Sequence, residues 1–285
     1  MRIDDIRRVL IVGSGTMGRQ IGLQCAMHGY DVTLYDVAES ALEAAKVEIK
    51  AYADHLVTWG RLSQDEAGTA LARIAATNVP ADADLISESV PEDPELKGRV
   101  FAQFNELCPP HTIFTTNTSD LLQSMYAGAT GRPERFAAFH FHQHVWEANV
   151  VDIMPHPGTS EETVELLRAF AERIGQIPIV LRKEQPGYVF NTMLNALVGS
   201  ALTLAVDGVA SVEDIDKAWM GVTKMLVGPF GIIDAVGLDL AWHIADSVAE
   251  VTGDPHAQSQ ADFLKQYVDK GWLGLKSGRG FYTYG

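Results

Sequence analysis

The sequence predicts an α/β fold: a doubly wound, mostly parallel sheet over residues 1–185, followed by a smaller all-α domain over residues 186–285. Three observations carry this reading. An apolar run, Val9 to Val12, leads into Gly13, Gly15 and Gly18 in G-x-G-x-x-G spacing and then into a helical stretch from Met17 to His28. Short apolar runs then alternate with helical segments as far as Leu181. Beyond about residue 185 β-rich material stops and the remaining segments are helical, which marks a change of layer architecture.

The first motif has a physical reading, residue by residue. Gly13 allows the tight turn, Gly15 lets backbone approach a pyrophosphate, and Gly18 lets the helix lie close to the strand. Phosphates placed there meet free N–H groups and the positive end of the helix. Asp36 ends the second apolar run, Val32 to Tyr35, and stands 23 residues after Gly13. A carboxylate there accepts hydrogen bonds from an adenosine ribose and repels a 2′-phosphate, so the motif predicts a Rossmann-type domain that binds NAD(H) rather than NADP. The cofactor-binding candidates are Gly13, Gly15, Thr16, Met17, Gly18 and Asp36. FAD, or a turn serving structure alone, are the other readings of such glycines.

The remaining elements follow in order. Residues 38–57 are rich in Ala, Glu, Leu and Lys and predict a helix broken at Trp59–Gly60. Ser63 with Glu66 three residues later has capping-box spacing and opens a second helix, Leu62 to Leu71. Arg73 to Ala76 and Leu85 to Val90 read as strands, the latter carrying Glu88, with Glu92 in the loop beyond. A helix through Glu95, Leu96, Val100, Phe104 and Leu107 leads to a strand, Thr112 to Thr116, that gives way to Asn117, Thr118 and Ser119. In an open α/β sheet, ligands bind at that carboxyl edge. Phe136 to Phe141, Asn149 to Met154 and Gln176 to Leu181 complete eight strands, with a helix between Ser160 and Gly175. The helical part begins with a long apolar segment, Tyr188 to Asp207, and continues around 213–227, 238–251 and 259–270. The first of these is too apolar to be exposed on one side, so it is read as the core of its domain and also as a face for a second copy of the chain.

Composition excludes several classes. The formal charge of −15 over 285 residues argues against nucleic acid or an anionic membrane surface, since both need a basic footprint. Cys25 and Cys108 form no C-x-x-C and no framework for extracellular staples, so two reduced thiols are expected. No secretory signal and no membrane span is expected, and the cytoplasm is the predicted location.

The chemistry centres on histidine. His140, His142 and His144 alternate along one run and would share a face in a strand. A zinc reading lacks carboxylate or cysteine partners at metal spacing, and a set of purely structural histidines is the bland alternative. The acid/base reading is preferred: oxidising an alcohol requires loss of the hydroxyl proton as hydride leaves carbon, and imidazole titrates close to working pH. A buried carboxylate would orient the ring and stabilise imidazolium. Asp152 on the neighbouring strand is the partner of His140, while Ser119 and Asn191 could hold the substrate oxygen. Glu92 could orient the histidine or the nicotinamide ribose, or be a solvent-facing loop acid. Asn191 could equally be an amide satisfied inside the helical domain.

The chain resembles the short-chain L-3-hydroxyacyl-CoA dehydrogenase family along nearly its whole length. The resemblance rests on VLIVGSGTMG at the cofactor turn, ESVPEDPELK, TNTS at 116–119, RFAAFHF at 135–141, PGYVFN at 186–191, GPFGIIDAVGLD at 228–239 and GLKSGRGFYTY at 274–284. It implies that His140 is the catalytic base, that Asp152 stands where the family has a glutamate, and that Ser119 and Asn191 contact substrate. It also implies that Glu92, Lys97 and Asn117 lie near the cofactor and that the helical domain mediates a homodimer.

Two departures matter. The family's H-F-F-N-P reads His140–Phe141–His142–Gln143–His144 here, and the helix after the second strand has no lysine beyond Lys50. Both features are similar to a bacterial diketoreductase subgroup. The expected function is NAD-dependent interconversion of a short 3-hydroxyacyl-CoA and its 3-ketoacyl form. The alternative is a small non-CoA keto or hydroxy acid, ester or diketone. A nucleotide-binding scaffold without activity is the non-enzyme reading.

Overall fold

The computed structural model describes all 285 residues and divides into two compact units, Met1–Val189 and Phe190–Gly285. The first unit holds β1 (Arg8–Val12), α1 (Thr16–Met27), β2 (Asp31–Tyr35), α2 (Glu39–Thr58), α3 (Gln64–Ala72), β3 (Ile74–Thr77), β4 (Leu85–Glu88), α4 (Pro94–Leu107), β5 (Ile113–Thr116), β6 (Phe136–Phe141), β7 (Val150–Pro155), α5 (Glu161–Arg173) and β8 (Ile177–Val180). The second holds α6 (Phe190–Val206), α7 (Val212–Thr223), α8 (Pro229–Val236), α9 (Leu238–Thr252) and α10 (Pro255–Val268).

The eight strands form one sheet in the order β3-β2-β1-β4-β5-β6-β7-β8. All neighbours are parallel except β6 and β7, which are antiparallel. Alternation along β1 feeds two layers: Val9 and Ile11 pack with α1, α2, α3 and α5, while Leu10 and Val12 pack with Phe101 and Phe104 of α4 and with Tyr126. Both faces of the sheet are thereby covered, as its continuous apolar strands require. Each fully buried phenylalanine there (Phe101, Phe104, Phe114, Phe136) contributes roughly 1.5–3 kcal/mol.

Strand order reverses between β1 and β4, both of which pair with parallel neighbours outward from that point. At this switch point Gly13 adopts φ +100°, and a Cβ on it would meet the Ser89 carbonyl oxygen at 2.6 Å. A Cβ on Gly18 would strike the Gly13 carbonyl oxygen and lie 3.0 Å from Ile11 Cγ2, so helix–strand contact is tight here.

The second unit has its own core, with Leu202, Ile215, Phe230, Ile233, Leu238 and Leu264 buried together. Two buried carboxylates tie its ends. Asp216 accepts from the Phe230 and Gly231 amides and the Tyr282 hydroxyl, and Asp234 accepts from the Phe281 and Tyr282 amides and the Tyr284 hydroxyl. These contacts give GPFGIIDAVGLD and GFYTY a structural role. α8 was not among the expected elements, although Pro229 at its first turn and Gly237 at its end are ordinary helix signals. The first helix of this unit begins at Phe190 rather than Tyr188, which takes φ +51°.

Gly18→Ala sets the higher helix propensity of alanine, about 1 kcal/mol, against a clash with backbone that cannot swing away. The clash prevails, and a net loss of about 1–3 kcal/mol is expected in chemical denaturation. Gly15→Ala, where a Cβ meets nothing within 4 Å, should stay within about 0.5 kcal/mol of the parent.

Candidate active site

The carboxyl ends of β1, β2, β4 and β5 carry the predicted cofactor and substrate groups. Gly15 is the N-cap of α1 and offers no side chain, so no side-chain cap engages the first-turn amides of that helix. The space beside Gly15 is open. Asp36, just after β2, accepts from the Ser14 amide and hydroxyl, both at 2.9 Å, and from the Ala38 amide at 3.0 Å. Burial works to raise its pKa, but these hydrogen bonds prevail and hold the carboxyl below its ordinary value. A fixed carboxylate beside an open glycine turn and uncapped amides fits a dinucleotide with a free ribose 2′-hydroxyl. Thr16 and Met17 form the first turn of α1.

His140 and Asp152 are directly opposed in the antiparallel β6–β7 ladder, so their side chains leave the same face. His140 Nδ1 lies 3.2 Å from Asp152 Oδ2, and His142 Nε2 lies 3.2 Å from the same oxygen. His140 is 4% exposed and Asp152 1%. Burial pushes the Asp152 pKa up, yet hydrogen bonds and charge from His140 and His142 outweigh it and keep the group below the usual carboxylate range. An ionised carboxylate only accepts, so Nδ1 of His140 carries the hydrogen. Nε2 is left as the basic atom, and it lies 3.4 Å from Ser119 Oγ.

His144 does not join this face. β6 ends at Phe141, and His144 takes φ +62° and is exposed, so the alternation seen in the sequence stops one residue beyond the strand. Asp152, already read as the partner of His140, also supplies the carboxylate that the zinc reading lacked: one donor atom each of His140, His142 and Asp152 lies within 4.8 Å of the others, a grouping that could also hold a metal ion.

Behind Ser119 is a second polar network. Glu92 Oε1 accepts from the Ser119 amide at 2.7 Å and the Thr118 hydroxyl at 2.9 Å, and Glu92 Oε2 lies 3.3 Å from Lys97 Nζ. Lys97 is 1% exposed and donates to both oxygens of Glu88, at 2.8 and 3.0 Å. Burial pushes the Glu88 carboxyl up against the pull of Lys97 and the Thr116 hydroxyl. Glu92 therefore anchors the Ser119 turn rather than touching His140, and Lys97 anchors Glu92. Asn117 Oδ1 accepts from the Phe141 amide at 2.8 Å, tying the end of β5 to the end of β6. Asn191 lies in α6 of the second unit, partly buried.

Sequence reasoning placed His142 on the His140 face by its i, i+2 spacing but gave it no contact with Asp152, and it missed Glu88 and Tyr188 as members of the site. Tyr188 is distant in sequence and gave no signal.

Comparison with known proteins identifies the family. A family model for the 3-hydroxyacyl-CoA dehydrogenase NAD-binding domain matches residues 8–185, and one for the C-terminal domain of the same family matches 187–284. The chain is 32% identical over 283 residues to a probable 3-hydroxybutyryl-CoA dehydrogenase of Bacillus subtilis, covering 98% of each. Among solved structures it is similar to a diketoreductase studied for its substrate-directed dual catalysis of dicarbonyl compounds. There the TM-score is 0.91 with 40% identity, over 98% of this chain and 99% of that one. It is also similar to the (S)-3-hydroxybutyryl-CoA dehydrogenase PaaH1 of Ralstonia eutropha, with TM-score 0.86 and 29% identity over 99% and 100% of the two chains. With both halves matched in order, the chain belongs to the 3-hydroxyacyl-CoA dehydrogenase family, as an NAD-dependent oxidoreductase acting on CH–OH groups.

Proposed function

We propose that this protein interconverts a short-chain 3-hydroxyacyl-CoA and its 3-ketoacyl form, with His140 as the acid/base group. The observation that carries the reading is the orientation of that ring: Nδ1 on the Asp152 carboxylate and Nε2 toward Ser119 Oγ. In oxidation the substrate hydroxyl proton passes to Nε2, and NAD⁺, when bound, supplies the hydride acceptor. Asp152 stabilises the imidazolium so formed. In reduction His140 returns the proton to the ketone oxygen. Ser119 and Asn191 hold that oxygen, while Glu92, Lys97 and Asn117 position the Ser119 turn and the strand ends. Residues 1–185 bind the dinucleotide and 186–285 serve substrate and dimer. The NAD(H) requirement and the two buried free thiols support a cytoplasmic setting.

A second reading has its own support. Lys46 pairs with Glu43 and Lys50 with Asp54, so α2 offers little free positive charge to a coenzyme A phosphate. The 40% identity to a diketoreductase points the same way. A small dicarbonyl or ketoester is then the substrate, with the same proton chemistry. Parallel rates on acetoacetyl-CoA and ethyl acetoacetate with NADH decide between them: a higher kcat/KM on the thioester supports the first reading, and the reverse replaces it with the second. On the better substrate His140→Ala should lose at least about a hundredfold in turnover, and near-normal turnover would remove the mechanism.

Asp152 also links pH to stability. Its folded-state pKa is depressed, so its contribution is complete above the unfolded carboxyl pKa of about 3.9 and is lost as pH falls through the lower folded value. Urea denaturation should show parent and Asp152→Asn furthest apart above pH 4 and converging in stronger acid. A gap that widens as the carboxyl protonates would contradict this.

The homodimer reading is supported by α9, where Leu240, Ile244 and Val248 recur at four-residue spacing and are each about half exposed, continuing an exposed Val236. Sedimentation should give twice the chain mass, and Leu240→Glu with Ile244→Glu should halve it. A monomeric parent protein would exclude the dimer.

A further inference from the structure

Tyr188 has no part in the reaction described above, yet three separate features converge on it. Its ring stacks on that of His140, with centroids 4.4 Å apart and planes inclined by 7°. Its hydroxyl donates to the Thr118 carbonyl oxygen at 2.6 Å, one residue before Ser119. Its backbone takes φ +51°, directly after Gly187 at φ +73°. A bulky aromatic residue is an outlier in the left-handed region, and such a conformation persists where surrounding contacts over-determine it. At 1% exposure the side chain has no freedom to leave this position. It is packed with Ala138, Met154 and Leu181, and burial pushes its phenol pKa far up, so the hydroxyl remains a donor.

We propose that Tyr188 is a positioning residue that holds the His140 ring in plane and the Thr118–Ser119 turn at a fixed distance from it. The proposal rests on His140 being the acid/base group. Asp152 fixes one edge of the imidazole through Nδ1, but a single hydrogen bond leaves the ring free to rock about that axis. A face-to-face phenol removes the rocking, and its hydroxyl ties the same rigid body to the turn that carries Ser119. The 3.4 Å separation between Nε2 and Ser119 Oγ is thus set by one side chain that touches both halves of the site. From the other side, Glu92 holds the Ser119 amide and the Thr118 hydroxyl, so the turn is clamped between Glu92 and Tyr188.

The test is a pair of substitutions read in two backgrounds. Tyr188→Leu removes stack and tether, and Tyr188→Phe keeps the stack alone. With a keto substrate and NADH, Tyr188→Leu should lower kcat roughly ten- to a hundredfold, the scale of a small misplacement of reacting groups, with NADH affinity unchanged. Tyr188→Phe should restore most of kcat and retain a several-fold higher KM for the keto substrate. In a His140→Ala background, Tyr188→Leu should cost nothing further, because the group it positions is gone. An equal loss in both backgrounds, or wild-type kcat for Tyr188→Leu, overturns the proposal. Should Tyr188→Leu fail to fold, Tyr188→Phe decides, and unchanged kinetics for it overturn the tether. If His140→Ala itself turns over normally, the acid/base reading fails first, and the two failures are told apart.

Discussion

The site depends on one cross-strand contact, the carboxylate of Asp152 on Nδ1 of His140. The antiparallel β6–β7 pair places the two residues directly opposite, with their side chains on one face at this range. The sheet is otherwise parallel, and its single antiparallel pairing falls at the strand that carries His140. A one-residue shift in the register of β7 would turn Asp152 to the face away from His140. The apolar residues that alternate with them, Phe139 and Phe141 on β6 with Val151 and Ile153 on β7, are fully buried, and the register is pinned by that burial. Hydrophobic packing on one side of the sheet thus fixes the His140–Asp152 contact on the other.

A second constraint is electrostatic. Lys97 and Glu88 form an ion pair with both side chains out of water. Such a pair adds little net stability, but removing one partner leaves an unpaired buried charge at a cost of about 3–5 kcal/mol. Its use here is geometric. The ammonium also reaches Glu92, and Glu92 reaches the Ser119 amide, so a rigid polar chain runs from inside the first unit to the turn beside His140. Asn117 closes the frame by bridging the ends of β5 and β6.

Much of this was legible in the sequence because it rests on local rules. G-x-G-x-x-G with Asp36 predicted the turn and the helix, and Ser63 with Glu66 predicted a capping box that is present with both hydrogen bonds. The eight strands followed from apolar runs bounded by turn residues. Opposition of His140 and Asp152 followed from two adjacent strand-like runs. Long-range contacts were not legible. Asp36 is bound by Ser14 across 22 residues, and Tyr188 meets Thr118 across 70. Nothing local to either residue encodes those meetings. His144 was misplaced for the opposite reason: the period-two histidines were read past Phe141, where the strand itself was expected to end and does end. α8 was missed because a run as short as Pro229–Val236 is apolar nearly throughout and shows no helical period.

The central claim is that His140 is held as the Nδ1–H tautomer, with Nε2 as the free base. Nitrogen-15 spectra of histidine-labelled protein at neutral pH read this directly. The account predicts a His140 signal with Nδ1 protonated and Nε2 bare in the neutral ring, and loss of that preference in Asp152→Ala. A ring protonated on Nε2, or one that exchanges freely between tautomers with Asp152 intact, would contradict it.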